Sequence, residues 1–480
     1  MGHIRGGTRK IMTPGEVHTD SKLLMTVCAG ILAMTCVFVA YYRIQWQPNV
    51  IGIITSGPAF FLAISLLVFL VIVFRIMRAY RSPERDHRIF KLTVALGFVT
   101  MLMTFLCAET TVRLLATSTP EGPSVMDTIL LPRDWPAVMA NRRLLWEQSS
   151  SRYGVFRFDD MLGWTVGSNR QGTGPHGETY FSSLEGLRTS GPDISLAGRA
   201  TGTIALLGDS YVFASDVNYE DSWGHRLEQK LGPAFQVLNF GVPGYGIDQA
   251  YMRYERDVRA WHPEVVILAL ISHDVVRTTM VYYQVGFAGA LVPGAKPRLT
   301  IRNGRLIPIN LPLPTPQALF RSHRIADVPF VDHDKSYRTS DWSSHLYQLS
   351  YLLRFAVSWT PSWSTPEVDE ETLTLNRVVV QTFVRRVQED GATPLILFLP
   401  SFTDYREAGG RPHDRDLLGI RVLDHADLAY VNALPCLDHL PSGETLFTTG
   451  WHYTPAGNEL IAQCLYAVIQ QTSIRTRLSN

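Results

Sequence analysis

The 480-residue sequence predicts an α/β protein, a doubly wound parallel sheet preceded by N-terminal transmembrane helices. Three observations carry that prediction. Long uncharged apolar stretches crowd the first 115 residues. Short apolar runs alternate with amphipathic ones from about residue 155. Polar or glycine-rich turns follow those runs where strands would end.

The membrane region is assigned to residues 1–117. Stretches 23–42 and 44–74 carry no charge, and 92–108 lies between Lys91 and Glu109. A bilayer core needs about 20 mostly apolar residues per helix. Helices are therefore expected at about 23–42, 53–74 and 92–115, the last continuing past Glu109. A cleaved signal peptide is the alternative for 23–42, but two further apolar stretches follow it. Arg5, Arg9, Lys10 and Lys22 precede the first helix, and Arg75, Arg78, Arg81, Arg85, Arg88 and Lys91 fill the second connector, while the first connector holds Arg43. Basic loops stay in the cytoplasm. The expectation is a multi-pass protein of the cytoplasmic (inner) membrane, N-terminus inside, with everything after about residue 118 extracytoplasmic, in the periplasm.

Residues 118–150, rich in Pro, Ser and Thr, read as a linker, and 151–480 as the extracytoplasmic domain. Within it, 203–207, 236–238, 265–271 and 394–399 read as strands. Helices are expected at 223–231, 247–260, 373–389 and 456–471. Asp221 and Ser222 offer N-cap oxygens to the first of these, and Gly391 a stop to the third. A Pro-rich insertion at about 276–345 breaks the alternation, and its Asn303-Gly304 pair signals a hairpin. An insertion of this size forms a cap beside a site, or a docking surface for another protein; a membrane protein partner is a further expectation.

Charge and cysteine usage narrow the classes. With 44 basic against 43 acidic residues, there is no basis for a nucleic-acid surface. Of five cysteines, Cys28, Cys36 and Cys107 fall in the membrane helices as small apolar residues. Cys436 and Cys464 lie in the exported part, where a disulfide is chemically permitted; whether they meet is left open.

In an open parallel sheet, ligands bind beyond the carboxyl ends of the strands. Four pieces of this chain reach that edge: Gly208-Asp209-Ser210, the turn 241–246, Ser272-His273-Asp274, and His452 before the last helix. Ser210 is a nucleophile if a base lies within hydrogen-bond reach, and His452 is the candidate base. The Ser210 and Gly244 N–H groups are candidate donors to an oxyanion. Taken singly, Ser210 reads as an N-cap and His452 as a structural histidine.

These pieces, compared in order, resemble the SGNH (GDSL-like) hydrolase superfamily over about residues 155–475. Gly208-Asp209-Ser210 resembles the first block, with Ser210 as nucleophile; residues 239–244, Asn239 to Gly244, resemble the second, whose glycine gives an oxyanion N–H; residues 265–274 resemble the third; His452 with Pro455 to Asn458 behind it resembles the last. The resemblance implies a flavodoxin-like sheet and an esterase working through an acyl-serine. It also implies a catalytic Ser210–His452 pair, with Asp209, Asn239, Asp274 and Thr449 in supporting places. Two departures stand out. His273 occupies the place of the third block's asparagine donor, and an imidazole N–H can donate in its stead. Thr449 occupies the place of the last block's aspartate. A carboxylate from elsewhere, a Ser–His dyad, or weak or lost activity remain as alternatives.

No cofactor or metal is called for. The order G-x-x-G-x-G at 241–246 is not the dinucleotide fingerprint. His425 and His439 lack metal-ligand spacing and read as surface or structural residues. Asp209 reads as an organiser of its turn. Tyr282, Tyr283 and Phe287 read either as an apolar rim or as packing inside the insertion. The expected substrate is an acyl ester, with polysaccharide as one carrier. Hydrolysis, O-acyl transfer at the same site, and a catalytically impaired binding or assembly module are the functions weighed.

Overall fold

The computed structural model describes residues 87–471, apart from 120, 127, 153, 199–201, 287–293, 360–367, 410–415 and 441–442. The expected helices 23–42 and 53–74 lie outside the described residues, as does Phe287. The chain divides into two compact units at Pro132/Arg133, Ser343/Ser344 and Thr365/Pro366.

The larger unit is built on five parallel strands: β1 (Gly202–Leu207), β2 (Phe235–Asn239), β3 (Val265–Leu270), β4 (Thr393–Phe398) and β5 (Val431–Asn432). Their order is β2-β1-β3-β4-β5, the doubly wound arrangement expected. Consecutive strand residues face opposite layers. Ile204, Leu206, Ile267 and Leu397 pack under α1 (Trp223–Leu231) and α5 (Pro455–Gln471). Ala205, Leu207, Leu268 and Phe398 pack under α2 (Ile247–Arg253), α3 (Glu370–Glu389) and α4 (Leu418–Ala426). Both faces are covered, which is why the strands read as unbroken apolar runs. Each large side chain buried this way stabilises by roughly 1.5–3 kcal/mol.

Local signals set the element ends. The Ser222 hydroxyl accepts from the His225 N–H and starts α1. α2 is shorter than the expected 247–260, because after Arg253 the backbone widens into a π turn, Tyr254–Val258, and then tightens at Arg259–Trp261. β5 is two residues long, too short to show a period in sequence. Cys436 and Cys464 form a disulfide that joins the turn after β5 to α5.

Three features depart from the sequence expectation. First, antiparallel ribbons precede the parallel sheet: Phe156–Asp159 pairs with Gly163–Val166, and Gln171–Thr173, Thr179–Ser182 and Arg188–Thr189 form a second set. Their side chains Val155, Trp164, Val166 and Tyr180 form one core with Phe213, Val242 and Tyr245, which follow Ser210 and β2. Second, part of the stretch expected as a linker is a helix, Trp135–Arg152. Trp135, Val138 and Met139 are buried with Val281, Tyr282, Leu313 and Leu319 of the insertion, so this helix has an apolar partner. Third, the insertion divides. Residues up to Ser343 stay with the sheet unit, and those from Ser344 belong to the other. Its hairpin forms as expected, Leu299–Arg302 against Arg305–Pro308. A fully buried ion pair, Lys296 Nζ to Asp248 Oδ2 at 2.6 Å, ties the insertion to the start of α2.

The smaller unit contains a 29-residue helix, His87–Leu115. Its segment Val94–Leu115 is long and apolar enough to cross a membrane, with a mean hydropathy of 1.6. The unit also holds short antiparallel strands at Thr117–Thr119, Gly122–Val125 and Thr128–Ile129. Glu109 caps the helix Tyr351–Ser358, accepting from the Ser350 hydroxyl at 2.7 Å and from the Tyr351 and Leu352 N–H groups at 2.9 Å.

Candidate active site

Ser210 follows β1 on a sharp turn. Gly208 makes the turn at φ +154°, and a Cβ there would lie 2.5 Å from the Ala269 carbonyl, so only glycine lets β1 and β3 approach this closely. Asp209 caps the short helix Ser210–Phe213 by accepting from the Tyr211 N–H at 2.8 Å. Asn239, at the end of β2, donates to the Val212 carbonyl at 2.7 Å and accepts from the Gly241 N–H at 2.9 Å. That pair of bonds locks the two turns together.

His452 lies beside Ser210. His452 Nε2 lies 2.9 Å from Ser210 Oγ. Its other nitrogen, Nδ1, lies 2.9 Å from a carboxylate oxygen, Asp216 Oδ2. Thr448 Oγ1 donates to the same oxygen at 2.8 Å, and His176 Nε2 approaches it to 3.9 Å. Thr449, at the position where the resemblance suggested an aspartate, is exposed. The carboxylate that meets His452 comes instead from the segment just after Ser210.

Burial of Asp216 opposes its charge. The hydrogen bonds from His452 and Thr448 and the nearby imidazoles more than offset that cost, and hold its carboxyl below the usual range. The loop that carries it is unusual, since Ala214 and Asp216 both have left-handed backbones, at φ 58° and 66°. Two residues of the antiparallel ribbons hold it. The buried Arg188 guanidinium donates to the carbonyls of Phe213, Ala214 and Val217 and lies over the Tyr180 and Phe213 rings. The Tyr180 hydroxyl accepts from the Asp216 N–H at 3.0 Å. Burial lowers Arg188 to about 10 and raises Tyr180 to about 12, so each keeps its ordinary form near neutral pH.

The third piece is organised by Arg277, which is buried. Its Nη1 donates to Asp209 Oδ2 at 2.9 Å, to the Tyr245 carbonyl at 3.0 Å and to Asp274 Oδ1 at 2.5 Å. One guanidinium thus joins the turns after β1, β2 and β3. Burial and the facing Asp209 charge push the Asp274 carboxyl up, against the pull of Arg277. Gly244 occupies the turn Val242–Tyr245 at φ +83°, a conformation glycine adopts without strain. His273 is the second residue of the short helix Ser272–Arg277 after β3, where protein crowding and the Arg277 charge hold its imidazole down to about 3. It is therefore neutral, and a neutral ring keeps one N–H to donate.

No family model and no curated protein matches the sequence. Solved structures similar to it do exist. The similar folds are GDSL-type (SGNH) hydrolases. A lipolytic protein of the G-D-S-L family from Desulfitobacterium hafniense is 14% identical, matched over 55% of this chain and 98% of its own, at a TM-score of 0.28. A lipase/acylhydrolase from Enterococcus faecalis is 12% identical over 56% and 95%, at 0.29. An acetyl-xylooligosaccharide esterase variant from Geobacillus is 12% identical over 57% and 96%, at 0.30. At these identities and scores nothing about the site is carried over from them.

Among residues singled out in the sequence, the structure brings together Ser210, His452, Asp209, Asn239 and Asp274. Tyr282 is core, fully buried with its hydroxyl bonded to the Pro329 carbonyl at 2.5 Å. His425 is exposed, with Nδ1 on the Arg421 carbonyl at 2.6 Å, and His439 is exposed as well. Among the described residues no cluster of His, Cys, Asp and Glu could hold a metal. Sequence reasoning missed Asp216, Arg188 and Arg277. Asp216 had one signal, an acidic residue six positions after the candidate nucleophile. The two arginines had none, because Arg188 bonds backbone carbonyls and Arg277, apart from its neighbour Asp274, joins turns that meet only in the fold.

Proposed function

We propose that this protein is a membrane-anchored, extracytoplasmic serine ester hydrolase that works through an acyl-serine. The observation that carries the reading is the hydrogen-bonded chain Ser210–His452–Asp216, with 2.9 Å at each step. Ser210 Oγ attacks the ester carbonyl carbon while His452 Nε2 takes its proton. Asp216 holds the imidazole with Nδ1 protonated and balances the imidazolium charge. The Ser210 N–H, the Gly244 N–H and His273 stabilise the oxyanion. Collapse of the tetrahedral adduct breaks the ester C–O bond, and His452 returns the proton to the leaving alcohol. Water then attacks the acyl-serine with His452 again as base, releasing the acid and restoring Ser210.

The anchor reading rests on the apolar stretches and on the basic residues around them. The Cys436–Cys464 disulfide supports placement in an oxidising compartment. Acylated carbohydrate of the cell envelope or of secreted polysaccharide is the substrate class this placement favours. If a sugar hydroxyl replaces water in the second half-reaction, the same residues perform O-acyl transfer. A catalytically impaired binding module is disfavoured, because a buried carboxylate oriented on His452 supplies what Thr449 lacks.

The test uses the full chain in detergent with a fluorophosphonate probe and 4-nitrophenyl acetate. Labelling and turnover are expected in wild type and are lost in Ser210→Ala and His452→Ala. Equal labelling of wild type and a folded Ser210→Ala variant overturns the reading.

A further inference from the structure

Trp451, immediately before His452, has a left-handed backbone at φ 71° and leaves 63% of its surface exposed. Exposing an indole wastes the apolar burial it offers, and the left-handed backbone adds strain. Both are held in place. The Tyr211 hydroxyl donates to the Trp451 carbonyl at 2.6 Å, and the Trp451 N–H donates to the Thr448 carbonyl at 3.1 Å. The same Tyr211 hydroxyl accepts from the Phe402 N–H at 3.1 Å, and the Phe402 ring lies nearly parallel to the indole, at 11° and 6.0 Å between centroids. Phe402 therefore backs the indole from one side, while 63% of the residue stays exposed. Tyr211 and His452, whose rings are 5.2 Å apart, tie this aromatic ledge to the residues next to and within the reacting pair.

We infer that Trp451, supported by Phe402, is a carbohydrate subsite: it stacks on the C–H face of a sugar ring and presents that ring's O-acyl group to Ser210. The inference rests on the esterase reading and deepens it. The shape of the ledge selects a sugar over a fatty chain. The other exposed large apolar side chains of this unit among the described residues are Leu144, Met161, Leu184 and Ile307, all on elements other than those bearing Ser210, Asp216 and His452. A long acyl chain needs a row of apolar side chains to cover its length, since the gain scales with buried area. A lone flat ring matches a ring of similar size. Loss of that stacking face is expected to cost about tenfold in affinity, which corresponds to about 1.4 kcal/mol.

The experiment compares wild type, Trp451→Ala and Trp451→Phe on O-acetylated xylo- and cello-oligosaccharides, 4-nitrophenyl acetate and 4-nitrophenyl dodecanoate. In Trp451→Ala the ratio of kcat/KM on the acetylated oligosaccharides to that on 4-nitrophenyl acetate is expected to fall about tenfold, mainly through KM, and Trp451→Phe should recover most of it. An unchanged ratio overturns the inference, as does a larger loss on the dodecanoate ester. Calorimetric titration of the same oligosaccharides into Ser210→Ala, with and without Trp451→Ala, reads the subsite without turnover. If no ester is hydrolysed by wild type but Trp451-dependent binding persists, the esterase reading fails and the subsite stands. If Ser210→Ala binds none of the oligosaccharides, the subsite inference fails whatever the activity.

Discussion

Asp216→Asn keeps the shape of the side chain and removes the charge that faces His452 once the imidazole is protonated. Asp216 Oδ2 and His452 Nδ1 are 2.9 Å apart, and the carboxylate is 2% exposed, so water screens the pair poorly. Two unit charges about 4 Å apart between centres, at an effective dielectric near 20, attract by about 4 kcal/mol. That amount corresponds to a rate factor of about 10³. An asparagine amide turned toward Nδ1 also favours the wrong imidazole tautomer and deepens the loss. The assay is kcat/KM on 4-nitrophenyl acetate for the full chain in detergent, with the fluorophosphonate labelling rate and thermal unfolding measured alongside. Thr449→Val, at an exposed position outside this hydrogen-bond chain, should stay within about twofold of wild type. A loss below about tenfold in Asp216→Asn, with unfolding unchanged, refutes the assignment of Asp216 as the orienting carboxylate.

Arg188→Met removes the donors to the Phe213, Ala214 and Val217 carbonyls, so kcat should fall at least about tenfold and thermal stability should drop, with Arg188→Lys recovering part of both. An Arg188→Met enzyme with wild-type kcat contradicts its role in holding Asp216. For His273, an unfolded imidazole titrates near about 6.5, while the folded one is held to about 3. Between those values the unfolded chain binds a proton that the folded chain does not. Stability therefore rises with pH through this window and is lost as pH falls from about 6.5 toward 3. His273→Gln should flatten the difference between urea midpoints measured at pH 4.5 and pH 7, and a slope equal to wild type contradicts the half-buried neutral imidazole. Finally, the Cys436–Cys464 disulfide spans 28 residues, and Cys436→Ser with Cys464→Ser should cost about 3.5 kcal/mol by the loop-entropy estimate. The check is urea unfolding with and without reductant, where only wild type should respond.

The parallel sheet was legible because its strands are buried on both faces, which makes them continuous apolar runs, and because Ser222 and Gly391 mark helix ends by local backbone chemistry. The apolar stretch at 92–115 was legible by length and composition. Ser210 and His452 were legible because each stands beside a strand end or helix start with a recognisable turn around it. The rest needed the third dimension. The ribbons between Phe156 and Thr189 have short strands whose partners are set by cross-strand packing, so no period announces them. The linker reading of 118–150 failed because the apolar side chains that bury Trp135 and Met139 come from an insertion more than a hundred residues away. Asp216 could not be chosen over other acidic residues until the chain closed on itself. What brings it to His452 is a left-handed loop held by Arg188 and Tyr180, and no propensity of that loop's own residues dictates the arrangement. The sequence by itself determined which residues could do the chemistry and where the sheet runs; tertiary structure decided which carboxylate serves the imidazole, because that choice depends on contacts between segments whose separation along the chain carries no signal.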